Sequence, residues 1–220
     1  MLVSSSCIAQ LPGEEDLGAW YMYFGMNKIA EKWSIHSEMQ FRYYETTNNF
    51  NQLLLRTGIN YHINPNAIAT FGYAFIETDG DFREFENESN FWEHRIFEQF
   101  ILKNKVGKFD FEHRYRIEHR WLDFVDGNDF QNRGRYRLQV THPIAGPWFV
   151  NVYDEIFVNF QDNPFGQNRL FGALGYKASP TLSFQAGYLK NHFPNAHFDR
   201  LQLAVFYNPD LRKKVSPESL

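Results

Sequence analysis

The residues with the most chemical potential in this sequence are arginines and glutamates that recur at alternate positions within apolar and aromatic segments. Because side chains alternate between the two faces of a strand, each such segment would present its charges on one face. Guanidinium groups pair with carboxylates through parallel hydrogen bonds and bind other oxyanions in the same way. The candidate residues of this kind are Glu38, Arg42, Arg56, Glu93, Arg95, Glu112, Arg114, Arg116, Glu118, Arg120, Arg133, Arg135, Arg137, Glu155, Arg169 and Arg200.

The segments that carry these charges alternate with a period of two residues. In residues 109–121, aromatic, aliphatic and histidine side chains occupy the odd positions and charged side chains the even positions. Residues 33–44 alternate in a similar manner. Such a period predicts strands with one apolar face and one polar face. Eleven strands are predicted, at residues 16–26, 32–44, 50–62, 67–78, 91–103, 108–121, 133–142, 148–160, 167–177, 181–190 and 198–207.

Strand length and hydropathy narrow the fold class. Many of the predicted strands have 10–13 residues, whereas strands in soluble proteins usually have ~5–6. A strand that crosses a membrane at a tilt of ~45° needs about 9–11 residues. The mean hydropathy is −0.51, and no segment approaches the ~20 apolar residues of a membrane helix. The sequence therefore predicts an all-β protein, a single antiparallel up-and-down transmembrane β-barrel of ten to twelve strands.

The connections between the predicted strands alternate between short and long. Short connections are predicted at residues 62–66, 104–107, 142–147 and 177–180. Longer, acidic or polar connections are predicted at residues 79–90, 122–132, 161–166 and 191–197. Outer-membrane barrels have short periplasmic turns and longer outer loops, so this order favours a membrane barrel over a soluble sandwich.

The number of strands is a difficulty for this prediction. Single-chain barrels of the bacterial outer membrane have even strand numbers, so ten or twelve are expected. If the short turns are periplasmic, residues 32–207 form ten strands with both ends on the periplasmic side. Residues 16–26 are then a plug, a periplasmic extension or one of twelve strands.

The polar faces of the strands should line the barrel interior. An arginine that faces lipid at mid-membrane costs ~2–4 kcal/mol, so the charged set is predicted to face the lumen. Two roles remain open for it. The charges can fill a narrow lumen as a plug of ion pairs, or form a selective pore or binding site for an anionic or sugar-like solute. The interleaved carboxylates argue against a pure anion filter.

Catalytic and metal-binding arrangements have little support in the sequence. An outer-membrane lipid hydrolase is one alternative, and it would need a Ser–His pair oriented by a third polar group. No G-x-S-x-G string exists, and Ser34 and His36 lie two residues apart on one strand face while Ser37 lies on the other. A soluble lipid-binding β-barrel is another alternative, and its lumen should be apolar. The acidic residues in 79–88 and 123–129 lack the spacing of a calcium loop and are interpreted as solvated outer loops. We expect no catalytic residue, no metal ion and no cofactor.

Composition and the chain ends set further limits. The 220 residues carry a net charge of −4, which gives no reason to expect nucleic-acid binding, and the single Cys7 excludes an intramolecular disulfide. Small residues that end at Ala9, directly before a cleavage position, are typical of the end of a signal peptide. A lipidated Cys7 and an N-terminus without a targeting role are the alternatives. The predicted organisation is 1–10 as signal remnant, 11–208 as barrel and 209–220 as C-terminal tail.

Several strings on the predicted strands resemble a known family. They are WSIHSEMQFRYYE, FEHRYRIEHRW, RGRYRLQV, FVNVYDEIFVNF, QNRLFGALGY, LSFQAGYLKNHF and DRLQLAVFYN. Over residues 15–208 the chain resembles domain-of-unknown-function family 2490, predicted outer-membrane β-barrel proteins of Gram-negative bacteria. The resemblance implies a location and an architecture, and it implies no activity and no functional residue.

The function expected from the sequence is that of an integral outer-membrane β-barrel, either structural or porin-like, with small-solute transport through an Arg/Glu-lined lumen. The protein is not expected to be an enzyme. Its expected partners are membrane lipid and lipopolysaccharide, the barrel-assembly machinery that inserts such chains, and a small polar solute as candidate ligand.

Overall fold

The computed structural model describes residues 13–80, 82, 90–161 and 163–212. These residues form β-strands and connections, and none of them lies in a helix. The strands are β1 (Leu17–Lys28), β2 (Trp33–Tyr43), β3 (Phe50–Asn64), β4 (Ala67–Asp79), β5 (Asn90–Val106), β6 (Phe109–Phe124), β7 (Gly127–Ala145), β8 (Trp148–Asn159), β9 (Phe165–Lys177), β10 (Leu182–His192) and β11 (His197–Tyr207). Within the described residues, no helix is long and apolar enough to cross a membrane. The predicted signal remnant and residues 213–220 of the predicted tail lie outside the described part of the chain.

The eleven strands of the described chain close into one barrel. Each strand pairs antiparallel with the next along the chain. β1 and β11 pair in parallel, from Leu17 beside Asp199 to Gly25 beside Tyr207. The predicted all-β, up-and-down barrel is confirmed, with a strand number inside the predicted range.

The expectation of an even strand number is wrong. Residues 17–26 of the segment predicted at 16–26 belong to β1, a full strand of the barrel wall, and are neither a plug nor a periplasmic extension. With an odd number of up-and-down strands, the first and last strands run in the same direction. The barrel therefore closes by parallel pairing, which satisfies the backbone hydrogen bonds of both strand edges.

The connections define two ends of the barrel. One end, here called the short-turn end, carries the connections at residues 29–32, 65–66, 107–108, 146–147 and 178–181. The opposite end, here called the loop end, carries those at residues 44–49, 80–89, 125–126, 160–164 and 193–196. The chain enters β1 at the loop end and leaves β11 at the short-turn end, where the Leu211 N–H donates to the Lys28 carbonyl oxygen at 2.8 Å.

The β6–β7 connection is shorter than predicted. The predicted long connection at residues 122–132 is wrong, because β6 and β7 continue to a two-residue turn at Val125 and Asp126. Gly127 follows with a φ of 144°, a conformation that glycine adopts without steric cost. The outward rings of Trp121 and Phe130 pack with their centroids 5.1 Å apart and stabilise this extension of the hairpin.

Apolar and charged side chains are distributed inversely to those of a soluble protein. Large apolar side chains on the outer wall are exposed, including Ile59 at 56%, Phe71 at 61% and Leu170 at 55%. Charged side chains are buried in the interior, where Glu118 is 0% and Arg116 is 3% exposed. Soluble proteins almost never bury such residues unless they are paired. The wall therefore has an apolar outer surface and a polar inner surface.

Aromatic side chains pair on the outer wall near both barrel ends. Near the short-turn end, the ring centroids of Trp33 and Tyr61 lie 4.8 Å apart, and those of Trp148 and Tyr176 lie 4.9 Å apart. The pair formed by Trp121 and its β7 partner occupies the corresponding position near the loop end. The outer wall therefore carries aromatic side chains at both edges of its apolar surface.

Polar side chains that interrupt the outer wall pair with one another. Asp154 faces outward, as its parity predicts, and accepts a hydrogen bond from Asn168 at 2.5 Å. His119 lies 3.3 Å from the Glu98 carboxylate. Such pairing reduces the free-energy cost of polar groups on an apolar surface.

Gly72 allows one ring to pack against the wall beneath the charged residues. A Cβ at this position would lie 2.5 Å from the Phe97 ring, which leaves no room for a side chain. Phe97 is fully buried, and the guanidinium carbons of Arg56 and Arg116 lie 5.3 and 4.9 Å from its centroid. Because guanidinium groups are attracted to a desolvated ring face, Phe97 helps to position both arginines in the lumen.

Candidate functional site

The barrel interior contains a cavity of about 630 Å³. All of the charged residues predicted to face the lumen line this cavity except Glu118, which is fully buried behind the guanidinium groups that contact it. The lining extends from Met26 and Asn60, near the short-turn end, to Asn51 and Phe193, near the loop end. The lumen is therefore charged, as strand parity predicts, and it is not completely filled by side chains.

Glu118 on β6 is the centre of the ion-pair network. Its carboxylate lies 2.6 Å from Arg133, 2.7 Å from Arg135 and 3.2 Å from Arg95. Arg116 and Arg56 are at 3.7 and 4.0 Å. One carboxylate thus links arginines from four strands, β3, β5, β6 and β7.

Two further carboxylates extend this network around the wall. Glu155 on β8 lies 2.6 Å from Arg114 and 2.8 Å from Arg135, so Arg135 bridges two carboxylates. Glu93 on β5 accepts hydrogen bonds from Arg120, one to each carboxylate oxygen, at 2.8 and 2.9 Å. Bidentate contacts of this kind fix both the distance and the orientation of the guanidinium plane.

The remaining two glutamates of the lumen each form an ion pair with a single arginine. Glu38 accepts from Arg56 at 2.7 Å and also contacts His36 at 3.0 Å. Glu112 pairs with Arg137 at 2.7 Å, closer to the short-turn end. Every lumen glutamate therefore has at least one arginine partner.

The lumen has a large excess of positive charge. Among the residues that the structure describes, eleven arginines and five glutamates face it, a difference of six positive charges. The whole chain carries a net charge of −4, so the acidic residues lie mainly outside the lumen. A partly filled, low-dielectric cavity with this excess attracts anions.

Arg42 on β2 is one arginine without a carboxylate partner. Among the described residues no carboxylate lies within 4.0 Å of it. Its guanidinium donates instead to the neutral side-chain oxygens of Gln40 and Gln52, at 2.6 to 3.0 Å. Its Cζ lies 3.9 Å from the centroid of the Trp20 ring.

Arg169 on β9 reaches the same tryptophan. Its Cζ lies 4.9 Å from the Trp20 centroid and 4.6 Å from the Phe157 centroid. Its Nε is buried without a hydrogen-bond acceptor, and within the described part of the chain the guanidinium makes no hydrogen bond or ion pair. Arg42 and Arg169 therefore make no ion pair in the described chain, although Glu155 lies opposite Arg169 in the β8–β9 ladder.

The wall behind Trp20 is apolar. Trp20, Phe171 and Leu189 form a buried cluster from β1, β9 and β10, against which Met22 and Ala173 pack. An apolar patch from β1, β9 and β10 thus lies among the polar side chains of the lumen lining. The sequence did not predict this apolar patch, because it left open whether residues 16–26 are a plug, a periplasmic extension or a strand of the wall. The inward parity of Trp20 within that segment was the available signal.

One serine–histidine contact differs from the pair considered in the sequence. His36 contacts Glu38, whereas Ser34 Oγ lies 2.8 Å from His62 Nε2 on the neighbouring strand. Asn60 donates to the same hydroxyl at 3.0 Å, and Ser34 is 1% exposed. Among the described residues no carboxylate contacts His62, so the third group of a catalytic triad is not present there.

The arrangement of potential metal ligands is known for the described residues. These contain no cluster of three or more histidine, cysteine, aspartate or glutamate side chains arranged to hold a metal ion. Much of the predicted acidic loop at residues 79–90 lies outside the described part of the chain.

The fold and the site define a closed, eleven-stranded β-barrel with an arginine-rich lumen. Over residues 17–202 the chain matches the family described as "Protein of unknown function (DUF2490)", and it belongs to this family. The family predicted from the sequence strings is therefore confirmed. No curated protein and no solved structure matches the chain.

Proposed function

We propose that this chain is an integral β-barrel of the bacterial outer membrane and that its lumen admits and binds small anionic solutes. The role is not enzymatic. The observation that carries the proposal is the inverse distribution of side chains, with apolar residues outside and an arginine excess inside.

The outer wall supports residence in a membrane. It exposes many large apolar side chains and carries aromatic pairs near both ends. Outer-membrane barrels have such a band, flanked by aromatic girdles. The strands have 11 to 19 residues, and about 9–11 are enough to cross the membrane. In water this surface would instead be a large aggregation-prone patch.

The lumen supports an anion-accepting role over a purely structural one. If the charged side chains served only to fill the lumen and support the wall, arginines and glutamates would be present in similar numbers. Here each glutamate has an arginine partner, but the arginines outnumber the glutamates. The excess of six arginines and the remaining cavity serve no such purpose. Rings of arginine are known means of favouring anions in pores. A soluble lipid-binding barrel would need an apolar lumen, which differs from the charged one observed.

Membrane orientation can be tested at two matched hairpin turns. Asp126 and Lys108 both lie in exposed two-residue turns, at the loop end and the short-turn end respectively. Because longer loops face outward in this class of barrel, Asp126→Cys should react with a membrane-impermeant maleimide on intact cells. Lys108→Cys should react only after the outer membrane is permeabilised. Both variants are made with Cys7→Ser.

Two labelling results would count against this assignment. Reaction at Lys108→Cys but not at Asp126→Cys on intact cells would invert the orientation. Recovery of both variants in the soluble fraction, without the gel shift between unheated and heated samples that folded barrels show, would contradict membrane residence.

Anion preference is the second expected property. In planar bilayers with a KCl gradient, the reversal potential of the wild-type barrel should show that chloride permeates better than potassium. Arg200→Gln removes one lumen charge whose guanidinium donates to backbone carbonyl oxygens and lies over the Phe198 ring, and it should reduce the preference. Lys32→Gln makes the same change of charge in an exposed connection and should leave it unchanged. A preference for potassium, or no ion flux, would contradict the proposed role of the lumen.

A further inference from the structure

We infer that Arg42 and Arg169, held against Trp20, form a subsite for the oxyanion group of a small organic anion that also carries hydroxyl groups. The inference rests on the proposed function, since the anion must enter the lumen. It adds to that proposal a location and a ligand class, a hydroxylated phosphate or carboxylate.

The position of the subsite is set by one indole ring. Arg42 comes from β2 and Arg169 from β9, and their guanidinium carbons lie 3.9 and 4.9 Å from the Trp20 centroid. Trp20 itself is 5% exposed and is fixed by packing against Phe171 and Leu189. Two guanidinium groups from well-separated strands are thereby held close enough to contact one small ligand.

The donor inventory at this position is unbalanced. An arginine has five N–H donors. Arg42 directs three of its hydrogen bonds to glutamine oxygens, while Arg169 makes none in the described chain and its Nε is buried. The Trp20 Nε1 is also buried without an acceptor. Buried donors without partners cost free energy, and an oxyanion would supply the acceptors that they lack.

Unpartnered acceptors lie beside these donors. The Oε1 of Gln167, two residues before Arg169 on β9, is buried without a donor. The Oδ1 of Asn191, directly beside Arg169 in the β9–β10 ladder, is also buried without a donor. Gln167 and Asn191 are 6% and 5% exposed. A ligand that satisfies both sets of groups carries an anionic oxygen group together with hydroxyl donors.

The aromatic stacking of Arg169 is the competing explanation, because a guanidinium can be placed on Trp20 and Phe157 for packing alone. In that case a hydroxylated anion would bind no better at this position than elsewhere in the lumen. Comparison with another lumen arginine separates the two explanations. Arg137 is suitable, because it pairs with Glu112 and makes no contact with Trp20.

The test uses the fluorescence of Trp20. The other four tryptophans, Trp33, Trp92, Trp121 and Trp148, face outward and can be changed to phenylalanine. The full-length variant, refolded in lipid vesicles, is titrated at constant ionic strength with glucose 6-phosphate, gluconate, inorganic phosphate and glucose. Glucose 6-phosphate or gluconate should give a saturable change in Trp20 fluorescence. The anion that binds more tightly shows whether the subsite prefers a phosphate or a carboxylate. Inorganic phosphate should bind more weakly, and glucose should give no saturable change.

Substitutions locate the binding. Arg42→Gln and Arg169→Gln should each weaken binding by about tenfold or more, as expected for loss of a charge-assisted contact. Arg169→Lys keeps the charge but loses the planar fork, so it should give an intermediate value. Arg137→Gln removes the same charge elsewhere and should have little effect. A gel shift on heating verifies that each variant is folded.

Two results would overturn the inference. One is an equal loss of affinity in Arg169→Gln and Arg137→Gln, which would indicate a general effect of lumen charge. The other is the absence of saturable binding of both organic anions to the wild-type lumen. If the reversal potential still shows anion preference, only the subsite fails; if that preference is absent as well, the proposed function fails with it.

Discussion

Replacement of Glu118 by glutamine is expected to lower the free energy of unfolding of the barrel by ~3–5 kcal/mol, the range found when one partner of a buried ion pair is removed. Glu118 is fully buried and contacts Arg133, Arg135 and Arg95 within 3.2 Å. Glutamine preserves the shape but removes the only negative charge at this point. The arginines around it would then repel one another with less compensation, because Arg135 keeps Glu155 and Arg95 keeps Glu93 but Arg133 loses its carboxylate partner.

Removal of a positive charge from the same network provides the control. Arg116→Gln removes one of several arginines near Glu118, at 3.7 Å, and its other partner is the neutral Gln99. Glu118 keeps its closer partners, and repulsion from Arg56 is relieved, so the loss of stability should be smaller. Glu77→Gln, on the outer side of β4, should change stability by no more than about 0.5 kcal/mol.

The measurement is urea-induced unfolding of the refolded variants in lipid vesicles, followed by tryptophan fluorescence and by the gel shift on heating. The account predicts the largest loss for Glu118→Gln, a smaller one for Arg116→Gln and almost none for Glu77→Gln. Equal stability of Glu118→Gln and the wild type would mean that the network does not hold the lumen together.

Local alternation was sufficient to locate the strands and the inward charges. In residues 109–121 of β6, the even positions carry the charges and the odd positions include Phe109, Tyr115 and Ile117. A register error of one residue would reverse both faces, so the parity of each strand is strongly determined by its sequence. Alternation within their own strands likewise places Arg169 and Arg200 in the lumen, although both are distant from β6 in the sequence.

The failure at residues 122–132 has a local cause. Asp123, Asn128 and Asp129 are residues typical of loops and mask the alternation. The pair Asp126-Gly127 is nevertheless a strong hairpin signal, and it lies at the observed turn. Weighting that dipeptide above the local polarity would have predicted the longer strands.

The closure of the barrel and the subsite have no local signal. Parallel pairing of β1 with β11 joins residues such as Leu17 and Asp199, and neither strand shows its partner in its own sequence. Which arginines lack a carboxylate depends likewise on register and on contacts across the lumen. The placement of Arg169 on Trp20 therefore required the three-dimensional structure.

The central claim, an apolar outer wall in lipid around an anion-accepting lumen, is tested most directly by two single-tryptophan variants in vesicles. One retains Trp121, which is 44% exposed on the outer wall, and the other retains Trp20, which lines the cavity. Each is exposed to lipid with brominated acyl chains, which quenches only groups that contact lipid, and separately to iodide and caesium ions.

Brominated lipid should quench most of the Trp121 fluorescence and little of the Trp20 fluorescence. Iodide should quench Trp20 more strongly than caesium does, because the excess of arginines attracts the anion and repels the cation. The opposite pattern would contradict the account: Trp121 insensitive to brominated lipid and quenched by both ions, with Trp20 protected from iodide, would describe a barrel in water with a closed interior.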